Sequence, residues 1–69
     1  MKVGNLVQII VPASTRALRF ESRFAGLRGL ILLDHSPARP PDVGRVVDVL
    51  WENGEIEDMY TDDLEVISD

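Results

Sequence analysis

Apolar runs separated by turn-forming residues give the chain a strand-rich pattern. Residues 6–11 are apolar apart from one glutamine and end at a proline, which cannot donate a hydrogen bond to a sheet, so they predict a first strand. Residues 29–33 are apolar on both faces and predict a second strand. Residues 44–52 carry three apolar side chains on one face and two acids on the other, and they predict a third.

A hairpin and a helical turn complete the predicted sheet. The Asn-Gly pair at 53–54 predicts a type I′ hairpin, which needs positive φ at both central residues, and residues 55–60 then form the returning strand. Thr61 precedes two aspartates, and its hydroxyl can accept hydrogen bonds from the next amides, so residues 61–64 predict a single helical turn. Residues 65–67 predict a short last strand.

Residues 12–28, between the first two strands, follow a helical rather than a strand period. One arc of this helix is apolar and an adjacent arc is basic: Ala17, Phe20, Phe24 and Leu27 on the first, Arg16, Arg19 and Arg23 on the second. Ser14 is a candidate N-cap, and Gly26 or Gly29 is a candidate stop signal. The pattern predicts a short helical insertion, with a long and partly ordered loop as the alternative.

The loop after the second strand, residues 34–43, contains three prolines within five residues and is predicted to be extended and stiff. It carries the only histidine, His35, between Asp34 and Ser36. Members of a catalytic triad converge in space, whereas these three residues are sequential. We therefore expect His35 to belong to a turn or a contact surface.

Five short strands, one tight hairpin and a 3-10 turn before the last strand predict an all-β fold. Closing a small sheet into a barrel removes its exposed edges, so we expect one five-stranded barrel domain over residues 1–69. A chain of 69 residues supports a single domain with a thin core. The absence of cysteine excludes a disulfide framework and a thiolate metal site. Short apolar runs and an N-terminus unlike a signal peptide predict neither membrane insertion nor secretion.

Charge is strongly segregated along the chain. The net charge is −5, but residues 1–33 hold five bases against one acid, whereas residues 48–69 hold nine acids and no base. Two interpretations follow. The two segments lie side by side in one fold and offset each other, or the basic segment of one copy contacts the acidic segment of another copy or of a partner.

The second interpretation selects a set of candidate contact residues. The proposed partner-binding arm comprises Arg16, Arg19, Phe20, Arg23, Phe24 and Arg28. The proposed acidic partner surface comprises Glu55, Glu57, Asp58, Asp62 and Asp63. Phenylalanine and arginine are enriched at protein interfaces, and arginine can pair with carboxylates in a bidentate manner.

Catalytic, metal and cofactor sites are not predicted. The acids lack the spacing of a calcium loop, and a catalytic carboxylate pair needs a partly buried pocket, so we expect a solvated acidic face and no small-molecule substrate. Trp51 and Tyr60 lie on paired strands and are expected to face each other in the core, with an aromatic cage for a cation as the alternative. The basic residues upstream argue against an acidic DNA mimic.

Several motifs together resemble the SH3-like barrel group, which includes the KOW and Tudor modules. They are Gly4-Asn5-Leu6-Val7, Gly29, residues 44–51, Asn53-Gly54, Tyr60 and residues 63–67. The closer resemblance is to short barrel proteins of tailed bacteriophages, including cyanophages, which often open with Lys-Val-Gly-Asp-Leu-Val and end with Asp-Leu-Glu-Val-Ile. Asn5 stands where those proteins usually have aspartate.

This resemblance implies a non-enzymatic protein-interaction module. The expected role is a minor structural or assembly component of a phage particle, such as a capsid, neck or tail accessory subunit. Its partners would be other virion proteins or copies of itself, in the virion or in the cytoplasm of the infected bacterium. The alternative is a KOW-like module that binds nucleic acid or a host transcription or translation complex, although nucleic-acid binders are usually basic.

Overall fold

The apolar runs of the sequence form strands in a computed structural model, which describes residues 1–35 and 45–68. The five strands are β1 Leu6–Ile9, β2 Gly29–Asp34, β3 Val46–Trp51, β4 Ile56–Tyr60 and β5 Leu64–Ser68. One α-helix, α1, spans Leu18–Phe24, and two 3-10 turns span Thr15–Ala17 and Thr61–Asp63. Each predicted strand is present, with ends displaced by one or two residues.

All five strands belong to one antiparallel sheet with the order β4-β3-β2-β1-β5. The expectation of a predominantly β fold with five strands is therefore confirmed, and one short helix accompanies the sheet. In the described part of the chain β4 and β5 are the two edges, and no ladder joins them, so the sheet is not closed.

The segment between β1 and β2 contains a helix, but its start differs from the prediction. The α-helix begins at Leu18 after a 3-10 turn, and Ser14 makes no side-chain cap. The Ser14 hydroxyl instead donates a hydrogen bond of 2.8 Å to the carboxylate of Asp63. Gly26, with a φ of 82°, turns the chain after the helix, and Gly29 already belongs to β2.

The hairpin at 53–54 corrects the predicted turn type. Gly54 has a φ of 91°, but no residue other than glycine has positive φ in the described residues, so the turn is not type I′. The Trp51 carbonyl accepts from the Gly54 N–H, and the Trp51 N–H donates to the Glu55 carbonyl, both at 2.8 Å. This pattern is a three-residue loop with glycine in the left-handed position, which Asn-Gly also suits. The Asn53 side chain accepts from the Glu55 N–H at 3.1 Å.

The core lies between one face of the sheet and α1. Its buried cluster contains Val7, Ile9, Phe20, Phe24, Ile31, Val47, Val49, Trp51, Met59 and Leu64. The rings of Phe24 and Trp51 stack with centroids 4.8 Å apart and an angle of 8° between their planes. The helix therefore covers the sheet through aromatic contacts.

The predicted proline-rich loop extends over residues 34–43, and residues 36–43 of it lie outside the described residues. Asp34 ends β2, and the His35 N–H donates to the Val46 carbonyl at 2.8 Å. The His35 ring nitrogen Nε2 lies 2.8 Å from Asp48 Oδ1. No helix within residues 1–35 and 45–68 is long and apolar enough to cross a membrane.

Candidate interaction surface

Four aliphatic side chains form a row across the sheet, which we call the aliphatic row. Leu30 of β2 lies opposite both Leu6 of β1 and Leu50 of β3. Leu50 in turn lies opposite Ile56 of β4. Directly opposed residues of antiparallel strands project from the same face, so the row crosses four adjacent strands.

The aliphatic row lies on the face of the sheet away from the core. Its members alternate along their strands with core residues such as Val7, Ile31 and Val49, and none of them belongs to the core cluster. The three leucines are half-buried, and Ile56 is 58% exposed. The sequence signal for this surface is the second strand, which is apolar on both faces.

A groove with a volume of about 470 Å³ runs beside the three leucines of the aliphatic row. Arg28 and Glu52 supply its charged lining. The Arg28 N–H donates to Glu52 Oε1 at 2.9 Å. The Arg28 guanidinium makes no ion pair with a carboxylate of the described residues. The groove thus combines an apolar lining with two side chains of opposite charge.

Asp63 is the centre of a polar cluster that also contains Ser14 and Arg16. The Asp63 residue is only 7% exposed. It accepts hydrogen bonds from the Ser14 hydroxyl and from Arg16 Nε, each at 2.8 Å. The Arg16 guanidinium also lies 4.3 Å from the centroid of the Tyr60 ring. The hydrogen bond to Asp63 raises the pKa of Arg16 above its ordinary value.

Arg23 makes the equivalent contact with the β3–β4 hairpin. Its guanidinium donates to Glu55 and lies 3.0 Å from Glu57, while stacking 4.7 Å from the Phe24 ring centroid. The hydrogen bond to Glu55 raises the pKa of Arg23. For Arg16 and Arg23 the basic and acidic segments offset each other within one fold, as the first interpretation of the charge pattern expects.

The structure places the residues of the predicted partner-binding arm in different environments. Phe20 and Phe24 are 6% and 0% exposed and belong to the core of their own chain, so they do not reach a partner in this fold. Arg19 stacks 4.6 Å from the Phe20 ring centroid. The guanidinium groups of Arg19 and Arg28 have no carboxylate partner among the described residues.

The predicted contact between Trp51 and Tyr60 does not form. Tyr60 lies opposite Val46 at one end of the β3–β4 pair, whereas Trp51 lies at the other end and stacks on Phe24. Adjacent strands run antiparallel, so residues far apart along both strands cannot meet. An aromatic cage built on this pair is therefore excluded. The described residues contain no group of three or more potential metal ligands.

No family model, curated protein or solved structure matches this chain. Function is therefore inferred from the aliphatic row, the groove and the charged side chains around them.

The Asp63 cluster is expected to stabilise the fold. Replacing Asp63 by asparagine removes the charge that Arg16 and Ser14 contact, and we expect the free energy of unfolding to fall by about 1–2 kcal/mol. The half-exposed Arg16 remains hydrated after the change, which keeps the loss below that of a fully buried pair. Urea unfolding measures the difference.

Asp62→Asn is the matched control, because Asp62 is exposed and lies 4.0 Å from Arg16. It should change stability by less than about 0.5 kcal/mol. Equal effects of the two substitutions would contradict the role assigned to Asp63.

Proposed function

We propose that the protein is a non-enzymatic protein-interaction module that associates with a second copy of itself through the aliphatic row. The observation that carries this proposal is the alignment of four aliphatic side chains across four strands, on the sheet face opposite the core cluster. Single exposed apolar residues are ordinary, whereas contiguous apolar surface marks association sites. The core cluster of the described residues lies on the other face of the sheet, and the row is not part of it.

The charges of the groove favour a second copy as the partner. A two-fold axis places each surface against itself, so residue i of one copy contacts residue j of the other and the reverse. Arg28 and Glu52 line the same groove with opposite charges. Across a two-fold axis Arg28 of each copy can pair with Glu52 of the other, and such pairing adds specificity to apolar burial.

At the β4 edge of the sheet, charge favours contact through the sheet face instead of strand addition. β4 is an edge strand and carries Glu57 and Asp58 in its centre. Charged side chains on an edge strand oppose pairing with another edge, and two copies of β4 would bring like charges together. A sheet-face dimer avoids this repulsion.

The sequence resemblance supports a more specific role, which we include in the proposal. The protein would be a minor structural or assembly component of a tailed phage particle, present in the virion or in the cytoplasm of the infected bacterium. The strand order β4-β3-β2-β1-β5, with a 3-10 turn between β4 and β5, supports an SH3-like barrel that is open between these two strands.

The nucleic-acid alternative has less support. Two of the four arginines in residues 12–28, Arg16 and Arg23, are already paired with carboxylates of their own chain. Phe20 and Phe24, the candidates for base stacking, are buried. A net charge of −5 adds repulsion toward phosphates.

Size-exclusion chromatography with light scattering tests the dimer. We expect twice the chain mass of 7.7 kDa for the wild type, and a shift to the chain mass for Ile56→Thr combined with Leu30→Thr. Threonine is favourable in strands, and both substitutions remove apolar surface from the row. High salt should weaken the dimer only slightly, because apolar burial supplies most of its stability.

Leu18→Asn is the control, since Leu18 on α1 is 54% exposed and lies outside the aliphatic row. It should leave the mass of the wild type unchanged. A wild-type chain that remains monomeric at about 1 mM, where even millimolar association is visible, would overturn the proposed function. So would an equal shift for the Leu18→Asn protein.

A further inference from the structure

A second depression, of about 250 Å³, lies between α1 and the end of the β3–β4 pair where Val46 faces Tyr60, and it shares no residue with the groove. Buried apolar side chains of Phe20, Val46 and Met59 contribute to its lining. The polar lining comprises Arg16, Arg19, Asp58, Tyr60 and Asp63. Arg16 and Asp63 are paired with each other, so Arg19 is the cation of the depression that has no carboxylate partner among the described residues.

Arg19 differs from the arginines one turn away on either side of it. Arg16 is held by Asp63, and Arg23 is held by Glu55 and Glu57, whereas no carboxylate of the described residues contacts Arg19. Its guanidinium rests 4.6 Å from the centroid of the Phe20 ring. A contact with an aromatic face leaves the five N–H donors of a guanidinium available to a ligand.

We propose that this depression binds a monocarboxylate with an apolar body, the carboxylate on Arg19 and the body against Phe20 and Met59. A planar guanidinium and a carboxylate form two parallel hydrogen bonds, which fixes the orientation of the ligand as well as its charge. The proposal does not depend on the dimer, because the two surfaces have no residue in common.

Size and charge narrow the class of ligand. A volume of about 250 Å³ is below the roughly 300–1,000 Å³ of ordinary small-molecule pockets, so the depression suits a group the size of one amino-acid residue. Two carboxylates also line it: Asp63 is paired with Arg16, whereas Asp58 has no ion-pair partner among the described residues. A neighbouring carboxylate disfavours a phosphate dianion more than a singly charged carboxylate.

This chemistry has two sources, a free apolar acid and the carboxyl-terminal residue of a polypeptide. N-acetyl-leucine represents the first, and a short peptide that ends in leucine represents the second. N-acetyl-leucinamide is the matched control, since it has the same body without the charge. Inorganic phosphate tests the preference for a carboxylate.

Titrations followed by ¹⁵N NMR, at the Arg19 side-chain Nε–H and the backbone of α1, test the site. A ligand of about a dozen non-hydrogen atoms is expected to bind with a millimolar Kd, and the amide about tenfold or more weaker. Tighter binding of the peptide would identify a polypeptide terminus as the source, and equal binding would identify a free acid.

Arg19→Gln is expected to weaken binding of N-acetyl-leucine by about tenfold or more, and Arg19→Lys, which keeps the charge without the planar fork, by a smaller factor. Lys2→Gln is the control, because Lys2 is an exposed cation outside both linings and has no carboxylate partner in the described residues. It should leave binding unchanged. Equal binding of acid and amide, tighter binding of phosphate, equal effects of the two glutamine variants, or no shift at Arg19 would overturn the proposal.

Discussion

Replacing Phe24 by alanine is expected to leave much of the protein unfolded in the absence of denaturant. Phe24 is 0% exposed and its ring stacks on Trp51, so its removal leaves a cavity between α1 and the sheet. A buried phenylalanine replaced by alanine costs about 3–5 kcal/mol. A 69-residue domain has a total stability of only about 3–10 kcal/mol, so one such loss consumes much of it.

Trp51 reports this change directly, because it is the only tryptophan and is buried against Phe24. Its fluorescence, followed through a urea titration, should show a midpoint far below that of the wild type. Leu18→Ala is the control on the same helix, where the side chain is 54% exposed, and it should change stability by less than about 1 kcal/mol. Equal midpoints for the two variants would show that the stack does not hold the helix to the sheet.

The behaviour of Phe24 shows what the sequence does and does not determine about the helix. Spacing alone places Phe20 and Phe24 on one arc, and that prediction agrees with the buried face of α1. Spacing does not indicate which surface packs against this arc. The partner-contact interpretation assigned the two phenylalanines to an interface with another chain. The actual cover, Trp51, is 27 positions beyond Phe24, and a contact at that separation depends on the sheet.

The aliphatic row depends on strand pairing, and the sequence pattern of a single strand does not predict it. Each of its four residues is an ordinary apolar position in its own strand, and no local pattern relates Leu30 to Leu6 or to Ile56. The row exists because of the registers of three strand pairs, and β2 contains an irregularity between Ile31 and Leu33 that shifts its register. A one-residue slip moves a side chain to the other face.

For the hairpin and for the ion pairs, too, the local sequence predicts that a feature forms, whereas contacts between distant residues determine its details. Asn-Gly at 53–54 correctly places the hairpin, but a two-residue and a three-residue loop both suit this pair, and the hydrogen bonds of Trp51 decide between them. The segregation of charge correctly suggests contact between the basic and acidic segments. Which acid pairs with which arginine depends on where α1 lies, as Asp63 with Arg16 illustrates.

Gly29→Ala is expected to cause the second-largest loss of stability, because the position of Gly29 has no room for a side chain. A Cβ atom there would overlap with Val49 Cγ1 and would lie 3.0 Å from Cε3 of Trp51. Overpacking a core costs about 1–3 kcal/mol, and contact with two fully buried side chains places this substitution toward the upper end. The denaturant midpoint measures the loss.

Double substitutions separate this overlap from a general weakening of the sheet. Val49→Ala removes the methyl group that the new Cβ would meet, so its combination with Gly29→Ala should destabilise less than the sum of the single effects, by about 0.5–3 kcal/mol. Val47→Ala, an equally buried valine of β3 that does not meet the new Cβ, should combine additively with Gly29→Ala. Additive behaviour of both pairs would contradict the close approach of β2 to Val49. If Gly29→Ala couples with Val49→Ala but not with Val47→Ala, the requirement for glycine at position 29 comes from its close approach to the Val49 side chain.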